Sequence, residues 1–149
     1  MKIKQELYNL CQEYVNKRLQ TVEEIISSNQ KALQSETKSS AGDKHETGRA
    51  MLQLEMEKAG QQLAGITQMK EVLARIDVEK TSKVARLGSL ISTDKANYFL
   101  SISAGKLEIS GNLYFAISVV SPIGKLLLGK QKNDVIIFNN NKSIIKKII

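Results

Sequence analysis

Leu52, Met56, Ala59, Leu63, Ile66, Met69, Leu73 and Ile76 follow one another at steps of 4, 3, 4, 3, 3, 4 and 3 residues. Steps that alternate between three and four lay one apolar stripe along an α-helix, and a stripe kept up for about three heptads is a seam for a partner helix. Lys70 stands where a strict heptad would be apolar, and Gly60 and Gly65 each lower helix propensity by up to about 1 kcal/mol relative to Ala. The seam runs through all three, so the spacing predicts one continuous helix.

A partner precedes it. Tyr8, Cys11, Val15, Leu19, Val22 and Ile26 recur at the same spacings, and no Pro or Gly interrupts the chain between Lys4 and Ala32. Between the two runs, Ser35 to Lys44 is polar, small and Gly-containing, which reads as a connection. Long helices joined by a short loop pack antiparallel. At about 1.5 Å per residue, arms of some 30 residues make a hairpin roughly 45 Å long. The first expectation is a long antiparallel helical hairpin over residues 1–80, a coiled coil with its tip near residues 36–46.

From about Leu87 the period changes. Gly88–Thr93, Asn97–Ile102, Lys106–Ile109 and Tyr114–Val119 read as short strands, and Val135–Phe138 with Ser143–Ile145 as a closing hairpin turned at its asparagines. One short helix interrupts them, with Ser121 as N-cap, Pro122 in the first turn, Lys125–Leu128 as its body and Gly129 as its stop. Residues 81–149 therefore read as a small α+β domain, and the whole chain as α+β.

Charge follows the same division. Residues 1–80 hold 12 basic and 12 acidic residues, whereas residues 81–149 hold 10 and 3, so the whole formal net charge of +7 belongs to the second part. Such an excess fits an acidic partner surface or nucleic acid, or simple solubility. A single cysteine, Cys11, excludes an intrachain disulfide and sits in the apolar stripe as a small core residue. With one histidine, His45, Cys–His catalysis has too few parts. No apolar run approaches the roughly 20 residues of a membrane span, and the first residues lack the apolar stretch of a secretory signal. A cytoplasmic protein without a membrane partner is the expectation.

The segment Ala116 to Lys130 resembles the Gre transcript-cleavage factors: a strand, then Ser121-Pro122-Ile123, a short helix and Gly129-Lys130, continued by Asn133 to Ile137. Ala41 to Thr47 is similar to the family's Gly-Asp-x-x-Glu-Asn tip, and the order of elements agrees over essentially the whole chain. The resemblance implies an FKBP-like C-terminal domain that docks on bacterial RNA polymerase near its secondary channel, and a hairpin that passes down the channel. It implies that the chain is no enzyme alone: it stimulates the polymerase's own endonucleolytic cleavage of backtracked RNA, touching the nascent RNA 3′ end indirectly. Asp43 and Glu46 would then help hold a Mg²⁺ of the polymerase active site, and Ser121, Pro122, Ile123 and Lys125 would dock. Lys44 and Arg49 would face RNA phosphate, and Lys130 and Lys132 would add steering. A closed hairpin suits a monomer.

The residues admit a second reading at each place. Asp43-x-x-Glu46 ahead of a helix is also a capping-box pattern, and acidic side chains favour a helix N-terminus. Ser121-Pro122 is a helix start in any domain. The tip departs from the family at Lys44, Thr47 and Ala50, where an apolar residue, Asn and an aromatic are usual. A channel-binding regulator without cleavage activity is therefore the alternative. His45 is a poor Mg²⁺ ligand, since that ion prefers oxygen. A prolyl isomerase would need an aromatic pocket built from Tyr98, Phe99, Tyr114, Phe115 and Phe138. Direct base recognition lacks a recognition helix or zinc site.

Overall fold

A computed structural model describes the backbone of residues 2–38 and 43–149, with side chains for all of these except residues 36–38 and 43–47. Helix α1 spans Lys2–Lys38 and α2 spans Asp43–Ala74. The strands are β1 (Leu90–Thr93), β2 (Asn97–Ser101), β3 (Gly105–Ile109), β4 (Asn112–Ser118), β5 (Val135–Phe138) and β6 (Asn141–Ile148), with α3 (Pro122–Leu127) between β4 and β5. The expected connection shrinks from both ends, because nothing before Gly42 breaks a helix; residues 39–42 lie outside the described part. The expected seam of α2 is followed closely: Ala59, Ile66 and Leu73 are buried and Leu52, Met56, Leu63 and Met69 half-buried. Arg75 and Ile76 then donate to the carbonyls of Val72 and Leu73 at 3.1 Å each, a tightened last turn that stops the helix.

The chain divides into two compact units, one made of Met1–Tyr14 with Glu71–Ile149, the other of Val15–Lys70. In the second unit the seam buries Val15, Val22, Ala59 and Ile66 together with Asn29. The Asn29 Nδ2 has no partner among the described residues. A polar group in a helical seam costs stability and fixes register.

The first unit is built on one six-stranded sheet in the order β3-β4-β2-β1-β6-β5. All neighbours are antiparallel except β2 and β4, which run parallel with Phe99 opposite Ala116 and Leu100 opposite Ile117. Two tight hairpins close it. Ser110-Gly111 and Asn139-Asn140 take positive φ at both central residues (51°, 81° and 53°, 64°), the pattern whose twist matches the flanking strands. On one face Ile91, Leu100, Ile136 and Ile145 pack with Leu127 of α3 and Ala85. On the other, Leu90, Phe99, Ser101, Leu107 and Ala116 are buried. The start of α1 lies there, with Cys11 Sγ 3.6 Å from Ser101 Oγ. Burial raises the Cys11 thiol above its ordinary range, with the Ser101 contact opposing.

Lys4 is the least expected core residue. Its side chain is 1% exposed, and its Nζ donates to the Lys80 carbonyl at 2.9 Å. Burial, then repulsion from Arg86, lower its pKa, while Asp77 opposes. A base whose folded pKa is depressed binds fewer protons folded than unfolded, so stability rises with pH between the folded value and the ordinary lysine value of about 10.4. Below the folded value the cost of the buried charge is complete. Lys4→Met keeps the stem and drops the charge. Relative to this variant, wild type is expected to be no more stable at pH 7 and to gain as pH rises toward 10; paired urea melts across that range would show a flat difference if Lys4 carried no such cost.

Candidate functional site

The segment after β4 is held by local chemistry. Ser121, at φ −70° and ψ 159°, caps α3: its Oγ accepts the Gly124 N–H at 3.1 Å and donates to the Ser118 carbonyl at 2.6 Å. Pro122 follows, where a missing N–H costs nothing. At the far end the Leu128 N–H reaches the Gly124 carbonyl at 2.9 Å, and Gly129, at φ +84°, donates to Ala85 at 2.8 Å. Gly124 is buried with its α-carbon facing the Ser118 carbonyl, leaving no room for a side chain.

This arrangement sorts the four expected docking residues. Pro122 and Lys125 are exposed. Ser121 is half-buried with its hydroxyl engaged twice, and Ile123 packs against the core cluster. Beside them stand Val120, 71% exposed, with Leu126 and Leu128, and on the edge strand β5 Val135 and Ile137 are exposed as well. None of these five is among the expected docking residues. The signal was present in Lys125-Leu126-Leu127-Leu128: successive helical residues turn through 100°, so a one-and-a-half-turn helix cannot bury three leucines in a row. Only Leu127 goes in.

At the other candidate region, α2 begins at Asp43, which places Asp43 and Glu46 three apart in its first turn, where such positions share a face. The side chains of Asp43, Lys44, His45 and Glu46 lie outside the described residues. Arg49, one turn on, is exposed, as are Met51 and Leu54. Among the described residues no three His, Cys, Asp or Glu side chains gather as a metal site, and no helix is long and apolar enough to cross a membrane.

Among the described residues, clefts on the first unit include two rich in basic side chains. One, of about 210 Å³, is lined by Arg75, Lys80 and Arg86 with Asp77. The other, of about 310 Å³, is lined by Lys83, Gln131, Lys132, Lys146, Lys147 and Ile148. Neither has an aromatic wall. The aromatic residues divide instead: Tyr98 and Phe115 meet at 5.9 Å on one face of the sheet, with burial raising the Tyr98 pKa, while Phe99 is buried on the opposite face. Side chains on opposite faces of a strand cannot line one pocket. No family model matches the chain, and no curated protein matches it.

Proposed function

We propose that the chain is a cytoplasmic transcription elongation factor of the Gre kind, an antiparallel helical hairpin followed by an FKBP-like domain. It binds bacterial RNA polymerase and passes its hairpin tip into the secondary channel, where it stimulates cleavage of backtracked RNA. The observation that carries this reading is the order and chemistry of the elements: two long seamed helices, the second opening with Asp43-x-x-Glu46, then a strand, a Ser121 cap with Pro122 in the first turn, and a short helix stopped at Gly129.

In this reading the chain breaks no bond itself. Asp43 and Glu46 offer carboxylate oxygens to a divalent ion of the polymerase centre, and Lys44 and Arg49 set positive charge beside RNA phosphate. Such an ion acidifies water and offsets charge on a phosphodiester. Pro122 and Lys125, with the exposed Val120, Leu126 and Leu128 around them, form the docking surface on the polymerase, and Ser121 and Ile123 hold that surface in shape.

A transcript-cleavage assay on stalled elongation complexes tests it. Wild type is expected to accelerate shortening of the RNA 3′ end. Asp43→Asn is expected to lose at least about tenfold of that acceleration. Asp43 stands in the first turn of α2, so losing its charge costs no more than about 1 kcal/mol and the variant stays folded. Equal activity of the variant would remove the metal role. A chain that binds polymerase without stimulating cleavage would support the second reading, a channel-binding regulator, which the replacement of the family's tip residues by Lys44, Thr47 and Ala50 favours. Absence of polymerase binding would end both.

A further inference from the structure

The lysine cleft is made by three separate segments, and each brings its charges in a way that costs energy. Val84 and Gln131 form an isolated antiparallel bridge, with the Ala85 N–H on the Lys130 carbonyl at 2.8 Å, so the next pair outward sets Lys83 opposite Lys132. Like charges directly across a strand pair repel. The third segment is the end of β6. There Ser92 pairs with Lys147 but Thr93 with Ile145, so Lys146 is the extra residue of a β-bulge. Regular alternation would send Lys146 and Lys147 to opposite faces; a bulge re-aims a side chain, and here both residues line the same cleft.

The lining holds four lysines and no carboxylate. The nearest acid in sequence, Asp134, is engaged, its Oδ2 accepting the Gln131 N–H at 2.7 Å. Four of the ten basic residues of the C-terminal part thus converge on one concavity of about 310 Å³, and among the described residues that line it they are the charged ones, with the single Asp134 carboxylate beside them on the Gln131 N–H.

We propose that this cleft binds the phosphate backbone of duplex DNA without reading base sequence. The ligand must be a dense, regular polyanion, and DNA carries one charge per about 1.7 Å of axis. The lysines are point charges without the planar fork that clamps a single carboxylate, and a row of them suits a row of phosphates better than one fixed anion. No aromatic face is present to stack an unpaired base, which counts against a single strand. A ribose 2′-hydroxyl both donates and accepts, and among the side chains lining the cleft Gln131 alone can answer it in both senses, which counts against RNA. An acidic protein surface would bring apolar anchors, and the cleft offers only the half-buried Ile148 to receive one. The inference does not depend on the polymerase reading, since no tip residue takes part.

Fluorescence anisotropy of the full chain with a labelled 20-base-pair duplex of arbitrary sequence, across a salt series, tests it. Four phosphate contacts give a slope of log K against log salt of about −3.6, at −0.9 per contact. Lys146→Gln with Lys147→Gln is expected to flatten the slope by about 1.8 and to weaken binding at least tenfold at low salt. Lys83→Gln with Lys132→Gln should do the same from the other wall. Lys95→Gln with Lys106→Gln, exposed residues outside the cleft that remove the same net charge, should leave the slope unchanged. Equal losses in all three double variants would reduce the effect to net charge and overturn the site. Preference for a single-stranded RNA of the same length, or displacement of the duplex by poly-glutamate at matched charge, would overturn the choice of ligand.

Discussion

Gly124→Ala is expected to destabilise the protein by about 3 kcal/mol, although helix propensity alone would credit the change with a gain of about 1 kcal/mol. Gly124 lies inside α3, and an added Cβ there would run into the backbone carbonyl of Ser118 and the Oγ of Ser121. Neither can yield. The Ser118 carbonyl accepts both the Ser121 hydroxyl and the Ser121 N–H, and the same hydroxyl caps the helix through the Gly124 N–H. Moving the helix away breaks the cap and withdraws Leu127, which is fully buried in the sheet core. The steric cost and the lost cap together exceed the propensity gain. For a chain of this size the midpoint should fall by roughly 10 °C. Gly60→Ala and Gly65→Ala give the contrast, because an added Cβ at either meets nothing within 4 Å. Each is expected to stabilise by up to about 1 kcal/mol. A Gly124→Ala protein that melts at or above wild type would contradict the account of why this helix begins as it does.

The sequence announces features that depend on local spacing. The second seam is visible because Leu52, Met56, Ala59, Leu63, Ile66, Met69 and Leu73 keep one alternation, and the structure buries or half-buries each of these seven, while Leu54, off the seam, is exposed. Asn139 and Asn140 signal their turn because asparagine tolerates the left-handed region, and both occupy it. Ser121 and Pro122 signal the start of α3 for equally local reasons. What depends on distant partners does not show. The parallel pairing of β2 with β4 is a choice among strands that look alike one at a time. Lys4 reads as surface, yet it lies in the core because its carbonyl partner is 76 residues away. Lys146 and Lys147 fall after the expected strand Ser143–Ile145, whereas β6 continues to Ile148 and its bulge against β1 leaves both lining one cleft. In the candidate site, Ile123 and Ser121 look alike in sequence to Pro122 and Lys125, and only packing separates the residues that hold the surface from those that form it. α1 shows the same effect at larger scale. Its periodicity is unbroken from Lys4 to Asn29, so nothing marks Tyr14–Val15 as the place where one compact unit gives way to another.

That division predicts the fate of a fragment cut where composition changes. Residues 81–149 contain every strand, but they lack the first turns of α1 and the end of α2, which belong to the same unit. Leu90 and Phe99 stand opposite one another in β1 and β2, and Ala116 stands opposite Phe99 in β4, so all three share a face with Ser101. In the whole chain that face is buried, with Phe99 and Ser101 at 0% exposure and the Cys11 thiol on Ser101. Removing the helices leaves α3 on the far face and nothing on this one. Re-exposing Leu90, Phe99 and Leu107 costs about 1.5–3 kcal/mol for each side chain, or roughly 5–9 kcal/mol together. A domain of that length has only about 3–10 kcal/mol of stability to lose. The fragment is therefore expected to show no cooperative thermal transition at 25 °C and above and to bind a hydrophobic dye, whereas the full chain melts sharply. Adding residues 1–14 and 71–80 back, joined by a short flexible linker between Tyr14 and Glu71, should restore the transition, because Cys11 and Leu7 return to the face they cover together with the Leu73 carbonyl that receives the Tyr8 hydroxyl at 3.0 Å. A sharp melt from residues 81–149 alone would mean that the sheet holds its second face without the helices, and that the buried Cys11–Ser101 contact is incidental to the fold.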